Sequence, residues 1–202
     1  TCCAAVNTVD DKDLLKKMRK AGCWNIFFGY ETGVEELAKN ILTNKKNRDF
    51  EKMKRISRWT KEAGIETRAG FLVGLPGETP ELAKKTIQTA IELDPDYAQF
   101  TICCPYPGTK LADEIHEGKW GKFLTHDLKE YNMWKVTWLP FGYKNAEELK
   151  NMEKEFFINK KSECFILIVN KNKSFDQSFK GDFNLENNLI SRKDSDNLKY
   201  IY

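Results

Sequence analysis

The stretch that most constrains this chain is Ala69-Gly70-Phe71-Leu72-Val73-Gly74-Leu75-Pro76-Gly77-Glu78-Thr79-Pro80. Phe71, Leu72 and Val73 form a short continuous apolar run, which suits a strand covered on both faces. Gly74 and Gly77 give the backbone freedom to turn, and Pro76 stiffens the turn between them. The Thr79 hydroxyl can accept from an orphaned helix amide, and Pro80 suits the first helical position, where no N–H is needed. The stretch predicts a β-to-α corner. In parallel α/β sheets small molecules sit at such corners, because exposed amides and helix N-termini gather at the carboxyl ends of the strands.

The rest of the chain repeats this punctuation. Thr1 to Val9 read as the end of a strand, followed by Asp10 as the cap of a helix over 11–21, with Asp13 in a capping-box role. Leu14, Leu15, Met18 and Ala21 share one face of that helix, and Gly22 ends it. A strand from Cys23 to Gly29 enters Tyr30-Glu31-Thr32-Gly33, where Thr32 and Glu35 predict a capping box for a helix carrying Leu37, Ala38 and Ile41. After a polar loop, Thr43 to Arg48, a helix over about 49–63 turns Met53, Ile56 and Trp59 inward and stops at Gly64. The central corner leads into a helix from Pro80 to Leu93, broken by Asp94-Pro95-Asp96. A strand from Tyr97 to Cys104 then runs into Pro105-Tyr106-Pro107-Gly108-Thr109 and a short helix from Lys110 to His116. Strands alternating with helices imply an α/β fold with a parallel sheet and right-handed crossovers.

After Gly118 the style changes to an aromatic-rich segment, Trp120 to Tyr143, and then a helix boxed by Asn145 and Glu148 that runs to about Phe157. One β-like run, Phe165 to Val169, precedes an end rich in Asn, Lys and Ser that reads as weakly ordered. The expected organisation is an α/β core over 1–118 and an extension over 119–202. With 41% hydrophobic residues, the 202-residue chain can bury a core. Its net charge of +3 is dispersed in both signs, which gives no argument for nucleic acid or a membrane surface. No apolar run approaches the roughly 20 residues of a membrane span. The six cysteines form no C-x-x-C pair, and most lie in apolar strand-like runs as small hydrophobes. A reducing, cytoplasmic setting is the expectation.

Four motifs at these corners resemble the radical S-adenosylmethionine (SAM) enzymes, and within them the cobalamin-associated subgroup of anaerobic magnesium-protoporphyrin cyclase-like proteins. They are Thr8-Val9-Asp10 with a downstream Lys-x-Ala-Gly, Gly29-Tyr30-Glu31-Thr32-Gly33, Gly74-Leu75-Pro76-Gly77-Glu78-Thr79, and Pro105-Tyr106-Pro107-Gly108-Thr109. The resemblance covers residues 1 to about 118 and implies the C-terminal part of a partial (β/α)6 TIM-like barrel. It also implies SAM as cofactor, cleaved by a 4Fe-4S cluster to a 5′-deoxyadenosyl radical that abstracts hydrogen from a small-molecule substrate. The family's C-x-x-x-C-x-x-C cluster loop does not occur in this sequence. By the family's order it precedes the strand at Thr1, so the expected partner is an N-terminal half of the same protein that carries the cluster ligands. Cobalamin in an upstream domain is a further cofactor that the subgroup allows. Ala5-Val6-Asn7 stands where the family commonly has Arg-Val-Asp. That departure keeps open a non-catalytic nucleotide- or partner-binding remnant, and an unrelated α/β enzyme using the corner for phosphate is a third reading.

The resemblance implies that Glu31 accepts hydrogen bonds from the SAM ribose or amino group, the alternative being a carboxylate that caps the following amides. It implies that Lys46 pairs with the SAM carboxylate, against a plain solvated loop charge beside Lys45 and Arg48. Arg68 enters the central strand, where burial demands a partner, either a bound anion or a structural ion pair. Gly70 and Leu72 would flank the nucleoside, with Leu72 on adenine, and Cys104 would border the same pocket; strand core is the competing reading. Cys103 and Cys104 point to opposite faces and cannot grip one ion together. His116 and His126 sit in polar, exposed surroundings without a catalytic context.

Overall fold

The helices closed by Gly22 and Gly64, and the helix closed by Asp94 in the left-handed conformation, each return the chain to one sheet. Strands β1 (Cys2–Ala5), β2 (Asn25–Glu31), β3 (Glu66–Val73) and β4 (Tyr97–Ile102) lie in the order β1-β2-β3-β4, and every pair is parallel. The crossovers are α1 (Lys12–Lys20), then α2 (Glu35–Ile41) with α3 (Phe50–Glu62), then α4 (Pro80–Leu93). The order never reverses, so the sheet steps in one direction as a barrel wall does, unlike a doubly wound sheet. This is the expected α/β partial-barrel architecture. The computed structural model describes residues 1–41, 50–159, 169–170, 184–186, 189–191 and 200–201.

Strand alternation divides the sheet into two faces. Phe28, Tyr30, Ala69, Phe71, Val73, Phe100 and Ile102 join Leu15, Met53, Ile56, Ile87 and Ala90 of the helices in one buried core. The Tyr30 and Phe71 rings stack at 5.8 Å and the Phe71 and Phe100 rings at 5.1 Å, forming an aromatic ladder across three strands. Fully burying each such ring contributes about 1.5–3 kcal/mol. The Tyr30 hydroxyl meets Ser57 of α3 at 2.7 Å, and burial pushes its pKa up to about 12. By the same alternation, Phe27, Gly29, Arg68, Gly70, Leu72 and Gln99 belong to the opposite face.

Several boundaries differ from the sequence expectation, each for a local reason. The first strand stops at Ala5 and gives way to a 3-10 turn over Val6–Thr8, where the Thr8 hydroxyl donates to the Ala5 carbonyl at 2.7 Å. Asp11, not Asp10, caps α1 by accepting from the Asp13 amide at 2.8 Å. Asp10 instead reaches Lys52 of α3, and Asp13 pairs with Lys16. The inward face accordingly carries Leu15 and Met18, while Leu14 is 40% exposed and Ala21 is also exposed. The Thr32 hydroxyl accepts from the Val34 amide at 3.1 Å, one residue ahead of the capping-box position, because it also bonds Thr86 of α4 at 3.0 Å. Strand β2 runs on to Glu31, past Gly29, and β4 ends at Ile102.

Beyond β4, α5 (Lys110–His116) forms as expected under a Thr109 cap. The aromatic segment contains two short antiparallel strands, β5 (Gly121–Phe123) and β6 (Trp138–Pro140). The Ile102 amide donates to the Met133 carbonyl at 2.9 Å, so this segment covers the outer edge of β4. Helix α6 (Ala146–Asn159) starts with the expected box: Glu148 N–H donates to Asn145 Oδ1 at 2.8 Å and Lys144 N–H to Glu148 Oε2 at 2.7 Å. The chain divides into two compact units, Thr1–Lys160 and Lys161–Tyr202. The second contains β7 (Val169–Asn170) paired with β10 (Tyr200–Ile201), and β8 (Asn184–Glu186) paired with β9 (Leu189–Ser191). The expected loop from Thr43 to Arg48 and nearly all of the run from Phe165 to Val169 lie outside the described residues. Among the described residues no helix is long and apolar enough to cross a membrane.

Candidate functional site

The corner after β3 is built as its sequence predicts. Gly74 and Gly77 take φ of +76° and +80°, and the Thr79 hydroxyl accepts from the Leu82 amide at 3.4 Å to open α4. What the sequence did not disclose is the Glu78 side chain, which folds back under the turn. Its Oε1 accepts from the Gly74 amide at 2.5 Å and from the Tyr143 hydroxyl at 2.6 Å, while Oε2 is buried with no hydrogen-bond partner among the described residues. Burial pushes this carboxyl up to about 7 although the bonds from Tyr143 and Gly74 pull it down, with a smaller pull from the Leu75 amide. Gly142 packs so closely here that a Cβ on it would lie 2.1 Å from the Glu78 carbonyl oxygen.

Glu31 owes its position to a bulge. Gly29 pairs with Gly70, but the next pair is Glu31 with Phe71, so Tyr30 is an extra residue and Glu31 takes φ of +60°. The carboxylate lies back over Gly29, where an added Cβ would come within 2.6 Å of Oε1. A normal strand would not place an acid there. The following turn is fastened to α4: the Gly33 amide donates to the Thr86 hydroxyl at 3.3 Å, and a Cβ on Gly33 would meet Thr89 Oγ1 at 2.1 Å.

Gly29 and Gly70 face each other across β2 and β3, beside Glu31 at the carboxyl edge. A Cβ on Gly70 would strike the tip of the Phe27 ring at 2.5 Å, so this glycine makes room for Phe27. Leu72 is half-buried and packs against a second cluster formed by Leu37, Leu75, Cys103, Ile115 and Trp138. Arg68 is not buried, so it needs no internal partner. It is exposed, lies toward the amino end of β3, and holds its guanidinium 5.9 Å over the Phe27 ring. Cys104 lies just past β4, half-buried, with Sγ 3.7 Å from the Thr137 hydroxyl and its thiol raised by burial. The Cys103 amide donates to the Val73 carbonyl at 2.8 Å, and burial pushes the Cys103 thiol up to about 12. Lys46 falls outside the described residues.

The structure therefore brings Glu31, Gly70 and Leu72 to one edge, with Cys104 at the end of the adjoining strand and Arg68 further down the sheet. Sequence reasoning missed Glu78 with Tyr143, and the threonine pair of α4 that holds the Gly33 turn. The aromatic segment divides: Trp138 and Tyr143 are core, Trp138 donating from Nε1 to the Cys103 carbonyl at 2.8 Å, whereas Trp134 and Phe141 are exposed. His116 and His126 stack at 5.8 Å beside Phe123, exposed as expected. Among the described residues no group of three or more His, Cys, Asp or Glu side chains is placed to hold a metal ion. A 4Fe-4S cluster does not fit these residues.

A sequential parallel sheet with its functional edge at the carboxyl ends defines the partial-barrel class of α/β proteins. Residues 1–90 match the family described as the radical SAM superfamily. An uncharacterized methyltransferase of Pyrococcus horikoshii is 37% identical over 136 residues, covering 63% of this chain and 28% of that protein. The anaerobic magnesium-protoporphyrin IX monomethyl ester cyclase of Rubrivivax gelatinosus is 31% identical over 153 residues, covering 74% of this chain and 26% of the relative. The chain thus spans about a quarter of the length of these curated relatives. Among solved structures, the radical SAM methyltransferase TsrM from Kitasatospora setae, with cobalamin and a 4Fe-4S cluster bound, aligns with a TM-score of 0.55 at 23% identity, over 76% of this chain and 29% of that one. Coproporphyrinogen III oxidase (HemN) from Escherichia coli aligns with a TM-score of 0.57 at 16% identity, over 78% of this chain and 31% of that one. These two likenesses establish the fold.

Proposed function

We propose that this chain supplies the part of a radical SAM enzyme that seats SAM against the carboxyl edge of β2 and β3. The observation that supports this most is the bulge at Tyr30, which holds the Glu31 carboxylate over the paired Gly29 and Gly70 at the ligand edge of the sheet. Glu31 accepts from the ribose hydroxyls or the amino group, charge-assisted contacts worth about 1.5–3 kcal/mol each. Leu72 offers an apolar wall to adenine, Cys104 borders the pocket, and Lys46 meets the SAM carboxylate. Bound SAM would supply a 5′-deoxyadenosyl group for radical chemistry, and the described residues would bind it without themselves holding the 4Fe-4S cluster that such chemistry uses. The ligands of that cluster belong to another part of the protein, as would any cobalamin site. The residues of this chain bind and orient SAM and exclude water around it. Substrate is a small molecule held on the open face of the sheet, where Arg68 is available to an anionic group.

Equilibrium dialysis of labelled SAM against the protein tests this reading, with S-adenosylhomocysteine and ATP as competitors. Displacement by S-adenosylhomocysteine but not ATP is expected. Displacement by ATP alone would make the Gly74–Thr79 corner a phosphate site. A second reading, a non-catalytic binding remnant, is favoured by one observation, Ala5-Val6-Asn7 standing where the family commonly carries Arg-Val-Asp. SAM binding without turnover in the cluster-loaded full-length protein would establish it.

A further inference from the structure

Among the described residues Glu78 is the one fully buried acid, and the cofactor reading does not use it. It is fully buried beneath the turn that joins β3 to α4, yet its second oxygen has no hydrogen-bond partner among the described residues. Its first oxygen joins segments 65 residues apart, since Tyr143 belongs to the extension and Gly74 to the corner. The seat is tight on every side. Gly142 lies against the Glu78 carbonyl and the Thr79 Cα, and the Leu149 side chain of α6 lies 3.0 Å from where a Gly74 Cβ would be. The Phe141 amide donates to the Trp120 carbonyl at 3.0 Å, and the β6 pairing continues into this turn.

We propose that Glu78 is a positioning residue whose protonated carboxyl fastens the 138–143 segment onto the Gly74–Thr79 corner, so that seating of the extension beside the ligand edge takes up a proton. Two donors already converge on Oε1, so the proton resides on Oε2, where a neutral O–H is far less costly to bury than half of a charge. The groups that face this carboxyl are the Tyr143 hydroxyl and the Cys103 thiol; Tyr143 in turn feels Glu148 of α6 and Glu81 of α4. Every one of these neighbours is acidic, and none offers a counter-charge. Tyr143 is itself held well above the usual tyrosine range by burial and by Glu78, so it donates throughout the accessible pH range.

The direction follows from linkage. In the seated state the carboxyl titrates near 7, against an ordinary value of 4.5 when the segment lifts and water reaches it. Seating is therefore strongest below about pH 4.5 and weakens as pH rises toward 7. The loss is tenfold per unit at most, about 300-fold in total, and above 7 it levels off. Radical chemistry at the edge would then be better shielded from water at the acid end of this window. The inference depends on the SAM reading only for that consequence, because seating itself can be followed without cofactor.

Hydrogen exchange measured peptide by peptide between pH 4.5 and 8, divided by the intrinsic rate at each pH, reports the opening of 138–143 directly. Protection of that segment should fall by up to about 300-fold as pH rises to 7, while peptides from β2 and β3 change far less. Glu78→Gln keeps the acceptor for Gly74 and Tyr143 and should abolish the pH dependence. Tyr143→Phe keeps the ring but removes a bond that lowers the carboxyl's pKa, so the window should extend to higher pH. Protection that is flat with pH, or a slope that survives Glu78→Gln, would overturn the proposal. So would a segment that opens only together with the whole sheet. No SAM is present in the assay, so its failure would leave the cofactor reading standing.

Discussion

Gly33→Ala probes how the Glu31 turn is held, and the structure specifies its cost. A methyl group there would sit 2.1 Å from Thr89 Oγ1, 2.4 Å from Thr89 Cβ and 2.7 Å from Thr89 Cγ2. Thr89 is 8% exposed in the middle of α4, so rotating its side chain cannot clear the contact with Cβ. The turn must lift, at an overpacking cost of about 1–3 kcal/mol. Lifting it also weakens the Gly33 to Thr86 and Thr32 to Thr86 hydrogen bonds, about 0.5–1.5 kcal/mol each. The total is about 2–6 kcal/mol, which lowers a urea midpoint by roughly 1–3 M at an m-value near 2 kcal/mol/M. Urea unfolding of three variants makes the test sharp. Thr89→Ala leaves the 2.4 Å clash with Cβ and should rescue Gly33→Ala little, whereas Thr89→Gly should rescue it, less about 1 kcal/mol for glycine in a helix. Wild-type stability of Gly33→Ala, or rescue by Thr89→Ala as complete as by Thr89→Gly, would refute the reasoning.

Trp138→Phe leaves the Cys103 carbonyl without its indole donor and should cost about 1–3 kcal/mol in urea unfolding, with a loss near zero contradicting the role of that bond. Tyr30→Phe should cost about 1–3 kcal/mol because it strands the buried Ser57 hydroxyl, and Tyr30→Phe with Ser57→Ala should recover most of that loss. Thiol alkylation of the native protein at pH 8 should label the exposed Cys3 rapidly and leave Cys103, whose burial holds its pKa near 12, unmodified; labelling of both at one rate would contradict the packing of Trp138 and Leu75 over it.

The corner at Gly74 to Pro80 was legible in the sequence because its instructions are local. Two positive-φ glycines, a threonine cap and a proline at the first helical position specify the turn without outside help. Helix α4 and helix α5 keep their expected bounds for the same reason. Glu31 was legible as a site residue but not its geometry, since a bulge depends on the register of β2 against β3 and no residue type announces it. Asp10 and Asp11 compete for one cap, and the choice falls to Asp11 because Lys52, distant in sequence, draws Asp10 away. Arg68 was legible as a strand residue but not its exposure, which depends on where along β3 it falls and on its contact with the Phe27 ring. Glu78 escaped notice because a glutamate next to a cap threonine reads as helix-start chemistry; only the fold brings Tyr143 to it.

The central claim is that Glu31 binds SAM at the carboxyl edge of the sheet. Calorimetric titration of SAM into the full-length protein and its Glu31→Ala variant, under anaerobic conditions, tests it most directly. Alanine is no more strained than glutamate at this positive φ, so the fold should persist and the two proteins should share one far-UV circular dichroism spectrum. Losing one charge-assisted hydrogen bond of about 1.5–3 kcal/mol should weaken SAM binding roughly tenfold to a hundredfold. An affinity for SAM left unchanged by the substitution would contradict the account and reduce Glu31 to a carboxylate that serves the turn alone.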